Sequence, residues 1–209
     1  MASAGVFAFG AIILLLHALE SESNPTEHMV SEYALGDHGF LLTTAAILLA
    51  LGSAALAVGL QRALRPKPFT PTVLLAIWSA GAVIAGLFNT DPKGTVETST
   101  NGEIHTFAVS VAVLALTCAA FLFGQHFQRD ANWRSKASAT RWWALAMLLT
   151  TVATMLAAES EVGGIVQRIW ITVLIGWLAF VANHLRSAPL ARKREPIRQT
   201  LSQSPRTEE

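Results

Sequence analysis

Six long stretches of this chain carry no charged side chain, and that absence limits the possible folds more than any motif does. Residues 1–16, 39–61, 69–90, 106–125, 142–158 and 169–183 hold no Asp, Glu, Lys or Arg. A hydrocarbon core about 30 Å thick takes about 20 helical residues. The two shortest windows reach that length once their flanking Trp, His and Arg residues are added. A lone strand in lipid would leave its backbone polar groups without partners, so windows of this length are read as helices. The expectation is an all-α integral membrane bundle spanning residues 1–186, with helices at about 3–19, 39–62, 69–90, 104–126, 141–158 and 166–186. Residues 187–209, rich in Pro, Ser and charge, read as a disordered basic tail. The first window can also be read as a cleaved signal, since Ala18-Leu19-Glu20-Ser21 loosely resembles a cleavage region. No Lys or Arg precedes its apolar run, however, as a signal normally requires.

Composition agrees. Over 209 residues, 52% are hydrophobic and 14% charged, against about 25% charged in soluble domains. A net charge of +1 makes no case for nucleic acid, and no pattern of a nucleic-acid-binding motif appears. A single cysteine, Cys118 inside an apolar run, excludes an internal disulfide framework and a cysteine-based metal site.

The charges are sorted by side. Thirteen of the fifteen basic residues fall in the second and fourth loops and the tail: Arg62, Arg65, Lys67, Arg129, Arg134, Lys136, Arg141, Arg186, Arg192, Lys193, Arg194, Arg198 and Arg206. The alternate side holds only Lys93 and Arg168 but ten of the fourteen acids, from Glu20 and Glu32 to Asp91, Glu103, Glu159 and Glu161. The positive-inside rule places both termini in the cytoplasm and the protein in the cell (inner) membrane. Ala55-x-x-x-Gly59 and Ala82-x-x-x-Gly86 permit close helix approach.

The middles of the helices contain hydroxyls and one thiol but no ionisable group, which weighs against an ion-coupled pump. No GxSxG, HExxH, P-loop or dinucleotide pattern is present. Ionisable groups gather at the outer helix ends instead. Asn24-Pro25-Thr26-Glu27 has the features of a helix start, and Gly36 can end that helix. The short helix would lie flat on the membrane over the bundle mouth, with His28, Ser31, Glu32 and Leu35 on one side and Met29, Val30 and Tyr33 on another. His105 opens the fourth helix, where the macrodipole disfavours a positive ring. Arg168 sits just inside the lipid boundary and needs a partner, for which Asp91, Glu32 or Glu159 could serve. His28 and His38 read as exposed loop residues, His126 and His184 as interface residues.

Ser31-Glu32 with Gly36 and Gly39, Gly86-Leu87-Phe88 with Asp91, Gly102-x-x-His105, and Gln167-Arg168 together resemble the family of domain of unknown function 998 (DUF 998). These are small multi-helix membrane proteins, mostly prokaryotic, and the resemblance runs from about Asn24 to Leu185. Relatives often carry Pro directly after the Phe, where this chain has Asn89. The resemblance implies a topology and a site at the outer helix ends, and no activity.

Three functions are compatible with these residues. The first is binding of a lipid head group, a small polar ligand or a partner protein in an outward-facing polar cup formed by Ser31, Glu32, Asp91, His105, Gln167 and Arg168, with Arg168 as anion contact. The second is a membrane-embedded lipid hydrolase or transferase, with His105 as base or metal ligand and Asp91 or Glu32 as acid or orienting group. In the third, the polar cluster is structural and the protein an assembly subunit. No cofactor is expected; the alternative is zinc on His17, Asp91 and His105 with Glu20 or Glu32, whose spacing is not that of a strong metal motif. The expected partners are membrane lipids, with a membrane protein as the alternative, and not nucleic acid.

Overall fold

The computed structural model describes residues 2–20 and 24–187, so the tail from 188 onward lies outside the described residues. Among the described residues every regular element is a helix: α1 (Ala2–Leu19), a 3₁₀ helix (Val30–Leu35), α2 (Gly39–Ala63), α3 (Phe69–Leu87), α4 (Thr100–Arg129), α5 (Arg134–Ala157) and α6 (Gly163–Ser187). Five of them, α1, α2, α3, α4 and α6, are long and apolar enough to cross a membrane. The expected sixth, α5, is not among them. It starts seven residues before Arg141, and its first two turns carry Arg134 and Lys136.

The long helices pack in chain order, each against the next, and α6 closes back on α1 while also touching α2. Large apolar side chains face outward along this ring: Phe7, Leu51, Phe107, Met155 and Leu156 are among the most exposed. In water such a surface would aggregate; in lipid it is the ordinary exterior of a bundle. Small residues set the close crossings. A Cβ on Gly5 would meet Gly52 Cα of α2 at 2.9 Å, and one on Gly86 would meet Ala46 Cβ at 2.6 Å. Helices without a hydrophobic drive toward each other associate through such backbone approach.

Several hydroxyls at depth are satisfied locally, whereas the buried Trp177 Nε1 has no partner among the described residues. The Ser79 hydroxyl donates to Leu75 O, Thr150 to Ala146 O and Thr154 to Thr150 O, each one turn back. Three bonds tie α3 to α2: Thr43 Oγ1 to Gly86 O at 2.7 Å, Trp78 Nε1 to Ser53 Oγ at 3.1 Å and, at the other end, Thr72 Oγ1 to Gln61 Oε1 at 3.0 Å.

The short helix differs from the one expected between Asn24 and Gly36. Asn24 does cap a turn, its Oδ1 accepting from Thr26 N–H and its carbonyl from His28 N–H. That turn stops there, and a separate 3₁₀ helix begins at Val30. The reason is burial: Val30 and Tyr33 are 3% and 2% exposed, inserted toward α2 and α6. α3 also ends at Leu87 rather than near residue 90, because Phe88 is already extended.

Candidate functional site

Arg168, in the first turns of α6, anchors one polar cluster at the end of the bundle that carries the 3₁₀ helix. Its Nε donates to His17 Nε2 at 2.8 Å, its Nη1 to His28 O at 2.8 Å and Gly164 O at 2.9 Å, and its Nη2 to the Tyr33 hydroxyl at 2.9 Å. His17 can accept because its Nδ1 donates to Ile13 O at 2.7 Å, which fixes the tautomer. The His17 ring meets Tyr33 edge-on, centroids 5.4 Å apart, and the Arg168 guanidinium lies 5.7 Å from the Tyr33 ring centre.

The carboxylates expected to pair with Arg168 are therefore not its partners. Gly164 explains the difference. A Cβ there would strike the carbonyls of His28, Pro25 and Thr26, so the 24–28 turn sits directly against the start of α6. Ile165 N–H seals the contact by donating to Thr26 O at 3.1 Å. What comes within reach of the guanidinium is backbone carbonyl, phenol and imidazole.

Glu32 organises the second cluster. Its Oε2 accepts from His28 Nδ1 at 2.8 Å and Met29 N–H at 3.2 Å, and its Oε1 from Lys93 N–H at 2.9 Å. Lys93 Nζ in turn donates to Ser160 O at 2.7 Å, so one lysine joins the 3₁₀ helix to the α3–α4 and α5–α6 connections. Asp91 is committed to its own loop. It accepts from Ser99 N–H and Ser99 O–H, while Ser99 Oγ caps α4 by accepting from Gly102 N–H. A Cβ on Gly102 would collide with the Asp91 carboxylate.

His28 and His38 are loop residues, as the sequence suggests, but both are half-exposed and paired. His28 is paired with Glu32, and His38 donates to Glu20 Oε1 from Nδ1 at 2.9 Å and from its backbone N–H at 3.2 Å. The His38 side-chain and backbone hydrogen bonds hold the Glu20 carboxyl below its ordinary value.

Two cavities meet at the 3₁₀ helix. A cleft of about 740 Å³ is lined by Ser31, Glu32, Asp91, Lys93, Glu103 and Glu159 among others. A smaller cavity of about 160 Å³ lies between the long helices, with Trp78, Trp170, Leu49 and Ala82 in its walls and Ser31, His105 and Gln167 as its polar groups. The six sequence candidates divide accordingly. Glu32 and Asp91 line the cleft, His105 and Gln167 the inner cavity, Ser31 lines both, and Arg168 lines neither. His105 Nδ1 donates to Ala85 O and Phe88 O, both at 2.9 Å, at the end of α3. Gln167, 8% exposed, accepts at Oε1 from Val30 N–H at 2.6 Å.

The zinc candidates His17, Asp91 and His105 are not gathered. Both nitrogens of His17 and both oxygens of Asp91 are occupied, and no group of three His, Cys, Asp or Glu among the described residues could hold a metal ion. Tyr33, His28, Lys93 and the two cavity tryptophans were not legible as site residues. Only Lys93 left a clear trace, as one of two basic residues on its side of the chain.

A family model described as a protein of unknown function (DUF998) matches residues 3–184. No curated protein and no solved structure matches the chain.

Proposed function

The chain belongs to the DUF998 family, and from that premise we propose that it binds the head group of a membrane lipid in an outward-facing cup at the end carrying the 3₁₀ helix. In this reading six helices cross the cell (inner) membrane with both termini cytoplasmic, and the 3₁₀ helix lies in the interfacial layer. The charge partition supports that orientation. It also assigns α5 a role: Arg134, Lys136 and Arg141 lie among the cytoplasmic head groups while residues 142–157 cross the lipid.

The observation that carries the proposal is the charge of the cleft. Four carboxylates, Glu32, Asp91, Glu103 and Glu159, line it with one lysine, Lys93. Arg168, the residue best suited to an anion, is turned to His17, Tyr33 and His28 O instead. A surface of this sign repels anionic head groups and favours uncharged or aminium-bearing ones. Catalysis by His105 with Asp91 or Glu32 has less support, since His105 lines a different cavity and both carboxylates are already satisfied by N–H and O–H donors.

The test is native mass spectrometry of the protein released from nanodiscs holding equal phosphatidylethanolamine and phosphatidylglycerol. Retained lipid is expected to be predominantly the ethanolamine form, and Glu103→Gln with Glu159→Gln should shift retention toward the glycerol form. Preferential retention of phosphatidylglycerol by the unaltered protein would overturn the proposal.

A further inference from the structure

The inner cavity has the make-up of a binding site for an apolar chain. Its walls are Trp78, Trp170, Leu49, Ala82 and other apolar side chains, and no charged residue lines it. It runs from the level of Gln167 to that of Ile175 along α6, roughly 12 Å at 1.5 Å per residue. The apolar part of such a cavity stays dry, and a dry cavity of about 150 Å³ takes a benzene-sized apolar group; this one is about 160 Å³. Its three polar groups sit together at the end nearest the cleft.

Those three groups are incompletely used. Gln167 is more than nine-tenths buried and commits its carbonyl to Val30 N–H, but its amide NH₂ has no partner among the described residues. The Ser31 hydroxyl likewise has none among them. His105 commits Nδ1 to two carbonyls of α3, which leaves Nε2 as an acceptor in the neutral ring. Donors and an acceptor, with no formal charge, match an uncharged ester or hydroxyl. Ser31 lines both the cavity and the cleft.

We infer that the inner cavity holds one hydrocarbon chain of a lipid whose junction between chain and head group is an uncharged ester or hydroxyl. Gln167, Ser31 and His105 hold that junction. The inference rests on the head-group reading for what lies in the cleft, and names the rest of the same molecule. The chain enters past Ser31, descends between α1, α2, α3, α4 and α6, passes Trp170 one turn below Gln167, and reaches Trp78. Both indole N–H groups are already taken, by Ser53 and Thr151, so the rings offer the chain apolar surface only.

The two cavity tryptophans supply the readout. The probe is a monoacylglycerol brominated near the end of its chain, titrated into the protein in unbrominated detergent while tryptophan fluorescence is followed. The expected result is a saturable quenching phase complete at one equivalent. Ala82→Leu, which fills the cavity, should abolish it. Trp78→Phe with Trp170→Phe should remove most of its amplitude, and Ser31→Ala should weaken the probe several-fold without changing the melting temperature of the ligand-free protein. Quenching that rises linearly without saturating, or a saturable phase that survives Ala82→Leu in a protein that still folds, would overturn the inference. The head-group reading fails separately: if the saturable phase is present but equally strong for brominated lipids of any head group, the chain site stands and the cup does not select.

Discussion

Replacing Arg168 tests whether this cation is a structural tie or a charge awaiting an anion. Its guanidinium makes three bonds to other elements, to His17 on α1, Tyr33 on the 3₁₀ helix and His28 O in the preceding turn; the fourth, to Gly164 O, lies within its own helix. At about 1 kcal/mol for each tertiary bond at a half-buried site, Arg168→Met should cost about 3 kcal/mol. Arg168→Lys keeps the charge but offers a single ammonium that cannot reach three acceptors arranged around a planar fork. It should therefore recover only about 1 kcal/mol of the loss. The assay is reversible unfolding in mixed micelles by titration with a denaturing detergent. A double-mutant cycle between His17→Leu and Arg168→Met should give a coupling of about 1 kcal/mol, whereas Glu32→Gln or Glu159→Gln should couple to Arg168 by less than about 0.5 kcal/mol. If lysine restores the stability of the unaltered protein, or coupling to a carboxylate exceeds coupling to His17, the reasoning is wrong and Arg168 acts by charge.

Other consequences follow from the same geometry. Gly164→Ala would press a methyl group against three carbonyls of the 24–28 turn and should cost about 1–3 kcal/mol in the same unfolding assay, with the turn becoming protease-sensitive. The Glu20–His38 contact adds stability with a defined pH range. Because the folded carboxyl lies below its ordinary 4.5, the contribution is fully present above that value and is lost as pH falls through the lower folded one. Melting temperature should drop as pH falls below about 4.5, and Glu20→Gln should flatten that part of the profile; an unchanged profile would count against the contact. Chelation is expected to leave the melting temperature unchanged, since Ile13 O, Arg168 and Ser99 already occupy the ligand atoms of His17 and Asp91.

The helices were legible because their signal is local: a run of uncharged apolar residues has no alternative in lipid. Their ends were less so. α5 begins at Arg134, ahead of its charge-free window, because a helix can continue through charged residues, and charge counting detects the end of the apolar run rather than the first hydrogen bond. The proximity of Ser31, Glu32 and Asp91 was also legible, since all three line one cleft. The pairing within it was not. A charge suggests the opposite charge as partner, so Arg168 pointed to carboxylates. The actual partners are set by how closely the 24–28 turn can approach α6, and that depends on the missing Cβ of Gly164. Gly163-Gly164 was the available clue, but its meaning depends on a turn more than 130 residues earlier in the chain. The inner cavity is a property of five long helices and the 3₁₀ helix together, and no single stretch of sequence carries it.

The central claim is that one lipid sits with its head group in the cleft and a chain in the inner cavity. An experimental structure of the protein in nanodiscs of neutral and aminium-bearing lipid tests it most directly. The account predicts continuous density from beside Glu32 and Glu159, past Ser31, to Trp78 and Trp170. A cleft filled only with water above an empty inner cavity, in an otherwise unchanged bundle, would contradict it.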